Sequence, residues 1–305
     1  MKTQLVSMSS LFDVRQLPFL IRLVDDASPA VRERVASQLR AFSGDLEREI
    51  RAQNIALSPS QRAALNVLQL EASLSRSWNG WMDGRDDNAR LETALSHLAQ
   101  WQMDGEETEN ANSRNLDLMP HRADSWSNSA TTQSPLSEIL DDMALQFRAT
   151  GRPWHPESLS AWLFVEKGLR GDTHDYYNAR NSNLVRVVEN GLGNPLSLSC
   201  LFVLLGARLD LDIRGCNFPG HFLAHARSGG LDLLFDCFDA GRLLSPFETN
   251  AIRKAEPQLL GTRMPPEAIV TRVLRNLAVA YEHCGDFDRV RFVHSLLSEL
   301  EQAAE

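Results

Sequence analysis

"GLGNPLSLSCLFVLLGARL" occupies residues 191–209, and its reading decides the fold. Gly191, Asn194 and Pro195 spell a turn that opens a helix. Proline at the first helical position gives up only an N–H that has no intrahelical partner. From Leu196 to Leu209 the run is apolar nearly all round, so this helix is expected at the centre of a core. Its start also has a chemical consequence. Free N–H groups and the helix dipole there favour negative charge, a thiolate included.

Downstream comes "NFPGHFLAHARSGGLDLLFDCFDAGRLL", residues 217–244. "HFLAHAR" and "LDLLFDC" read as two strands joined at Ser228-Gly229-Gly230, a glycine-rich hairpin signal. With Ser228-Gly229 as the loop, His221 directly faces Asp236, and opposed Cβ atoms stand about 4.5–5.5 Å apart. With Gly229-Gly230 as the loop, the two are diagonal neighbours on one face. Both registers permit a His–Asp hydrogen bond. That pair is the orienting half of a catalytic triad, in which the carboxylate fixes the imidazole. A buried structural pair is the plain alternative. No metal site is expected: His221 and His225 stand about 13 Å apart along a strand, and "HFLAH" lacks the glutamate of the helical zinc motif.

The flanks read as helical. In residues 17–42, Leu20, Leu23 and Val24 mark one helix and Val31, Val35 and Leu39 the next. Ser28 and Pro29 sit at the second start. "LSPSQRAALNVLQLEASLSRSW", capped by Ser58 or Ser60, and "RDDNARLETALSHLAQW" continue the pattern, making residues 1–101 an all-helical unit. Residues 102–134 are polar without apolar period and are expected to be a linker or long loop, with Trp126 inside it. "LSEILDDMALQFRATG" is an amphipathic helix ending at Gly151. After a core of residues 135–250, residues 251–305 read as a helical hairpin. Pro265-Pro266 starts it, Ile269, Val273, Leu274, Leu277 and Tyr281 form one stripe, Gly285-Asp286 breaks it, and Val290, Val293, Leu296, Leu297 and Leu300 form the other. The fold class is therefore α+β, mostly helical, with a central helix on a small antiparallel sheet.

Composition narrows the function classes. The chain has 305 residues, 31 basic against 40 acidic, for a net charge of −9. No Lys/Arg stripe overrules that balance, so no nucleic-acid partner is expected. No run has membrane-span or signal-peptide length, so a cytoplasmic protein without membrane contact is expected. Cys200, Cys216, Cys237 and Cys284 form no C-x-x-C pair and read as buried small hydrophobes.

The segment from about Trp162 to Leu244 resembles the transglutaminase-like superfamily, in its SirB-type branch. The strings "FVEKGLRGD", "YYNARNSNLVRVVENGLGNPLSL", "NFPGHFLAHA" and "FDCFDAGRLLS" carry the resemblance. "VLRNLAVAYEHCGDFDRV" resembles that branch's tetratricopeptide-like tail, and residues 17–42 resemble a single HEAT-type repeat. The resemblance implies a Cys-His-Asp triad in active members, with His221 as its histidine and Asp236 as its acid. The nucleophile position, first in the central helix, holds Pro195. Members of this branch often lack the cysteine. The resemblance therefore implies a non-catalytic protein that binds a peptide or protein segment and needs no cofactor. The alternative is a hydrolase or acyl transferase that uses a displaced Ser197 or a cysteine, with His221 as base and Asp236 as orienter. Ser199, Cys200, Cys216 and Cys237 are weaker candidates for that role. Asn217 is a candidate donor to a developing oxyanion, and Arg242 a candidate anchor for Asp236 or a peptide terminus.

Overall fold

The computed structural model describes residues 13–40, 42, 45–113, 134–218, 221–256, 258 and 263–303. The chain divides into two compact units, Met1–Ser73 with Asp104–Asn128, and Leu74–Met103 with Ser129–Glu305.

In the first unit, α1 (Leu17–Leu23) and α2 (Pro29–Arg40) flank a turn in which Asp26 Oδ1 accepts from the Ser28 N–H at 2.8 Å. A short α3 (Leu46–Ala52) follows, capped by Asp45. Then α4 (Pro59–Trp78) opens on Ser58, whose hydroxyl accepts from Gln61 N at 3.1 Å while Gln61 Oε1 accepts from Ser58 N at 3.0 Å. That reciprocal pair makes Ser58 the cap, whereas Ser60 bonds Asp25. Leu17, Ile21, Val24, Val35, Leu39, Ile50 and Leu65 form one core. The buried stripe of α1 thus differs from the one expected: Leu23 is 42% exposed and Leu17 and Ile21 take its place. Positions i, i+4 and i+7 share a face of the helix, and Leu23 lies off it.

Helix α5 (Asp87–Ser113) runs past Trp101, through residues 102–113 where the polar composition predicted linker. Gln, Met and Glu are good helix formers, and the single Gly105 costs only about 1 kcal/mol. Residues 114–133, Trp126 among them, lie outside the described residues.

The second unit is a mostly helical α+β arrangement. Its helix α6 (Pro135–Ala149) starts on a Ser134 cap and ends before Gly151, which has a φ of 68°. Helix α7 (Pro156–Ser160) passes into a π-helical turn, Ala161–Glu166, where Lys167 N donates to Trp162 O at 2.9 Å. Strands β1 (Arg170–Gly171) and β2 (Leu192–Gly193) pair in parallel, with α8 (Leu184–Asn190) between them in sequence. The central helix α9 (Pro195–Arg208) is buried at every residue from Leu196 to Gly206. Strands β3 (Ile213–Phe218), β4 (His221–Ser228), β5 (Leu231–Asp236) and β6 (Arg242–Leu243) form an antiparallel meander. Helices α10 (Pro246–Ala255), α11 (Pro266–Cys284) and α12 (Phe287–Ala303) complete the unit.

Pleat alternation sets the two faces of the sheet. Ala224 pairs with Phe235, whose ring meets Phe202 of α9 at 5.2 Å. A Cβ at Gly206 would stand 2.7 Å from Ile213 Cδ1, so glycine lets helix and sheet close together. On the other face Cys216, Leu223 and Leu234 gather with Leu244 and Ile252 of α10. Arg208, at the C-terminal end of α9, holds both Glu92 oxygens at 2.8 Å and Asp141 at 2.6 Å, tying α9 to α5 and α6. The stripes expected of α11 and α12 are buried, and Gly285 ends α11 at a φ of 79°. Among the described residues no helix is long and apolar enough to cross a membrane, and no three His, Cys, Asp or Glu side chains gather to hold a metal ion.

Candidate functional site

The hairpin between β4 and β5 turns on Gly229-Gly230, with φ values of 57° and 82°. Two consecutive positive φ angles require glycine or its like, and they match the twist of the flanking strands. Ser228 pairs with Leu231, so of the two registers considered the diagonal one is adopted. His221 donates through Nε2 to Asp236 Oδ2 at 2.7 Å, and Asp236 Oδ1 accepts from Asp239 N at 3.1 Å. Alternation puts both side chains on the face of Leu223 and Leu234. The His221 side chain is 33% exposed and that of Asp236 11%.

The turn after Asp236 is pinned from behind. Ser160 Oγ donates to Gly241 O at 3.0 Å. Gly241, at a φ of 70°, leaves no room for a Cβ beside the Phe164 ring of the π turn. Such π turns recur next to functional sites.

Four residues along β4 the same diagonal recurs: His225 bonds Asp232 at 3.0 Å, and Asp232 also pairs with Arg253 at 2.6 Å. Burial pushes the Asp232 carboxyl up, but the bonds from His225 and Arg253 outweigh it and hold the group below its ordinary value. His225 is 4% exposed, which marks this second pair as part of the core. The repeat of His and Asp at matched offsets was visible in the sequence.

Pro195 sits at the first position of α9, as expected, with Asn194 as cap. Asn194 Oδ1 accepts from Ser197 N at 2.9 Å, and Ser197 Oγ accepts from Asn194 N at 3.0 Å. The Ser197 hydroxyl proton goes to Asn181 O at 2.6 Å. Ser197 is therefore a buried capping residue whose donor and acceptor are both in use. Among the described residues, the His221 side chain hydrogen-bonds Asp236 and none of the candidate nucleophiles. Around the helix start lies a buried polar network that the sequence reading missed. Asn194 Nδ2 donates to Ser182 Oγ, Asn183 Nδ2 to Ala99 O, and Asp172 accepts from His174 N, Asp175 N and Asn181 Nδ2. Burial raises the Asp172 carboxyl, and those bonds bring it below its ordinary value. The cluster of Asp, Asn and Ser in "DTHDYYNARNSN" was the available signal, since these residues cap and turn.

Burial pushes Cys200 and Cys237 up to about 12 and Cys216 up to about 11. Cys284 alone of the four is exposed, and its thiol donates to Tyr281 O at 3.3 Å. Asn217 is exposed and pairs with Phe222, so the register places it on the opposite face from His221. Arg242 does not anchor Asp236. Its guanidinium binds Asp239 at 2.9 Å and Glu248 at 3.1 Å, because the Ser245–Glu248 capping box presents that carboxylate beside it. The backbone and hydroxyl of Ser245, with Arg242, hold Glu248 down at about 2.

Residues 133–275 match the family model described as transglutaminase-like superfamily. The chain is 33% identical over 150 residues to a UPF0162 protein of Xylella fastidiosa, covering 45% of this chain and 52% of that one. A UPF0162 protein of Pseudomonas aeruginosa is 30% identical over 127 residues, 40% of this chain and 46% of its own. The F-box only protein 21 of Mus musculus is 30% identical over 83 residues, 27% of this chain and 13% of its own. The chain thus spans about half the length of the UPF0162 proteins it matches. No solved structure matches it. The buried helix α9, the β-meander and the His221–Asp236 pair all lie in the stretch that matches the transglutaminase-like superfamily model.

Proposed function

We propose that this protein is a non-catalytic, SirB-type member of the transglutaminase-like superfamily that binds a peptide or protein segment. One observation carries the reading: the helix start that would present a nucleophile holds Pro195, and the nearby Ser197 hydroxyl is consumed by the cap and Asn181. The three buried thiols support it, since burial holds each in its neutral, unreactive form. In this reading His221 and Asp236 brace the end of the sheet. The α1–α2 pair acts as a HEAT-like unit and α11–α12 as a tetratricopeptide-like hairpin, both serving as scaffold. We place the protein in the cytoplasm.

The second reading is a hydrolase or acyl transferase, and the 2.7 Å His221–Asp236 bond favours it, because that geometry orients a general base. Alkylation of the native protein, followed by mass spectrometry across pH, separates the two. The non-catalytic reading expects the exposed Cys284 to be labelled and the three buried thiols to stay slow. Rapid reaction of Cys200, Cys216 or Cys237 at pH 6, abolished by His221→Ala, overturns it. So does labelling of Ser197 by a fluorophosphonate.

A further inference from the structure

Arg272, on α11, is half-buried, and among the described residues no carboxylate pairs with it. That is unusual in a chain with 40 acidic residues. Arg208 and Arg90 have side chains 17% and 23% exposed, and each is paired with carboxylates. The Arg272 guanidinium instead lies over the Phe222 ring, 5.3 Å from its centroid. A cation over an aromatic face keeps its N–H fork directed outward, free to meet a planar anion. Burial weakens its hold on the proton. Asn217, exposed, is the register partner of Phe222 on the neighbouring strand and shares its face of the sheet.

Toward the C-terminal end of the same helix, where Tyr177 packs on His283, is an aromatic shelf. Tyr176 and Tyr177 are 48% and 47% exposed. Their rings meet edge to face at 5.3 Å. Tyr176 packs on Phe238 at 6.0 Å and Tyr177 on His283 at 4.9 Å. The loop that carries them is fixed from below by Asp172, which takes backbone N–H groups at 3.0 and 2.9 Å. Exposed tyrosines on a rigid base lose little entropy on binding, and Tyr and Arg dominate binding hot spots.

We infer that Arg272, with Asn217 and the Tyr176–Tyr177 shelf, receives a carboxylate of a bound peptide segment. The inference rests on the peptide-binding reading and gives it a ligand chemistry. The fork donates two parallel hydrogen bonds to the carboxylate, while the tyrosine faces take residues further along the segment. Two sources supply that carboxylate, a chain terminus or an Asp or Glu side chain. The remaining surface is acidic overall, so an acidic peptide gains from this one contact and not from general attraction.

The test uses the full chain and a random peptide library in two formats, with free and with amidated C-termini. Enriched peptides are resynthesised and titrated by fluorescence anisotropy against wild type, Arg272→Gln and Arg272→Lys, each first checked for an unchanged melting transition. We expect enriched peptides to bear a carboxylate whose removal, by amidation or Glu-to-Gln exchange, weakens binding about tenfold or more, as does Arg272→Gln. Arg272→Lys keeps the charge but not the fork and falls between. Enrichment in the free-terminus format alone assigns the terminus, and enrichment of acidic residues in both formats assigns the side chain. Neutral peptides that bind wild type and Arg272→Gln equally overturn the inference and leave peptide binding standing. No enrichment in either format overturns peptide binding and the inference with it. Because carboxylate removal alters only the peptide, a variant that fails to fold does not spare the inference.

Discussion

Ser197 looks, in the sequence, like a spare nucleophile two residues into a helix with a histidine downstream. Its surroundings make it a cap. Its oxygen accepts from Asn194 N and donates to Asn181 O, and the residue is 2% exposed. Ser197→Ala would remove both bonds and leave the Asn194 N–H and the Asn181 carbonyl only the 3.2 Å bond they make to each other. A loss of about 1–2 kcal/mol follows from two lost buried hydrogen bonds, read as a lower denaturation midpoint at unchanged slope. The thiol alkylation profile should not move. A shift in that profile, or no loss of stability, would mean the hydroxyl has another role. His221 makes the opposite point. Its bond to Asp236 was legible because a two-residue turn and a period of two fix which side chains meet. The turn residues were not, because Ser228-Gly229 and Gly229-Gly230 satisfy the same local chemistry.

At the scale of elements, the sequence was clearest where one force dominates. Helix α9 is apolar all round and is buried. The hairpin α11–α12 follows its stripes and ends α11 at Gly285. Illegible elements are those held by contacts distant in sequence. The two-residue strands β1 and β2 have no pattern to show, and exist because Arg170 N donates to Gly191 O and Asp172 N to Gly193 O. The π turn depends on Phe164 packing against Gly241, and on Ser160 bonding the Gly241 carbonyl across a separation of 81 residues. The 102–113 stretch was read as linker from polarity alone, although its residues propagate a helix already started at Asp87. Arg208 joins three helices in the same non-local way. With side chains 17% and 18% exposed, Arg208 and Glu92 are partly desolvated. Arg208→Met would strand the Glu92 charge, and we expect a loss of about 2 kcal/mol, discounted for the solvent that still reaches the pair. Adding Glu92→Met should recover part of it. A double variant no better than the single would show that Asp141 is the partner that matters.

For the molecule as a whole, acid is the informative perturbation. His97, on α5, is held neutral by burial, which lowers its pKa from 6.5 to about 4. A group whose folded pKa lies below its unfolded one binds its proton more readily when unfolded. Its penalty is absent above pH 6.5 and grows as pH falls toward about 4. The full effect is at most roughly 3 kcal/mol, from the size of the shift. Glu248, held at about 2, acts lower on the scale. Its capping bonds are intact above pH 4.5 and are lost as pH falls from there toward 2. Stability should therefore decline in two stages, histidine first and carboxylate second. Denaturant midpoints measured from neutral pH downward would resolve the first stage. In His97→Leu the decline between pH 6.5 and about 4 should flatten, with the later carboxylate stage unchanged. If the variant tracks wild type across that window, His97 gains its proton without unfolding the protein, and the acid sensitivity belongs to the carboxylates alone.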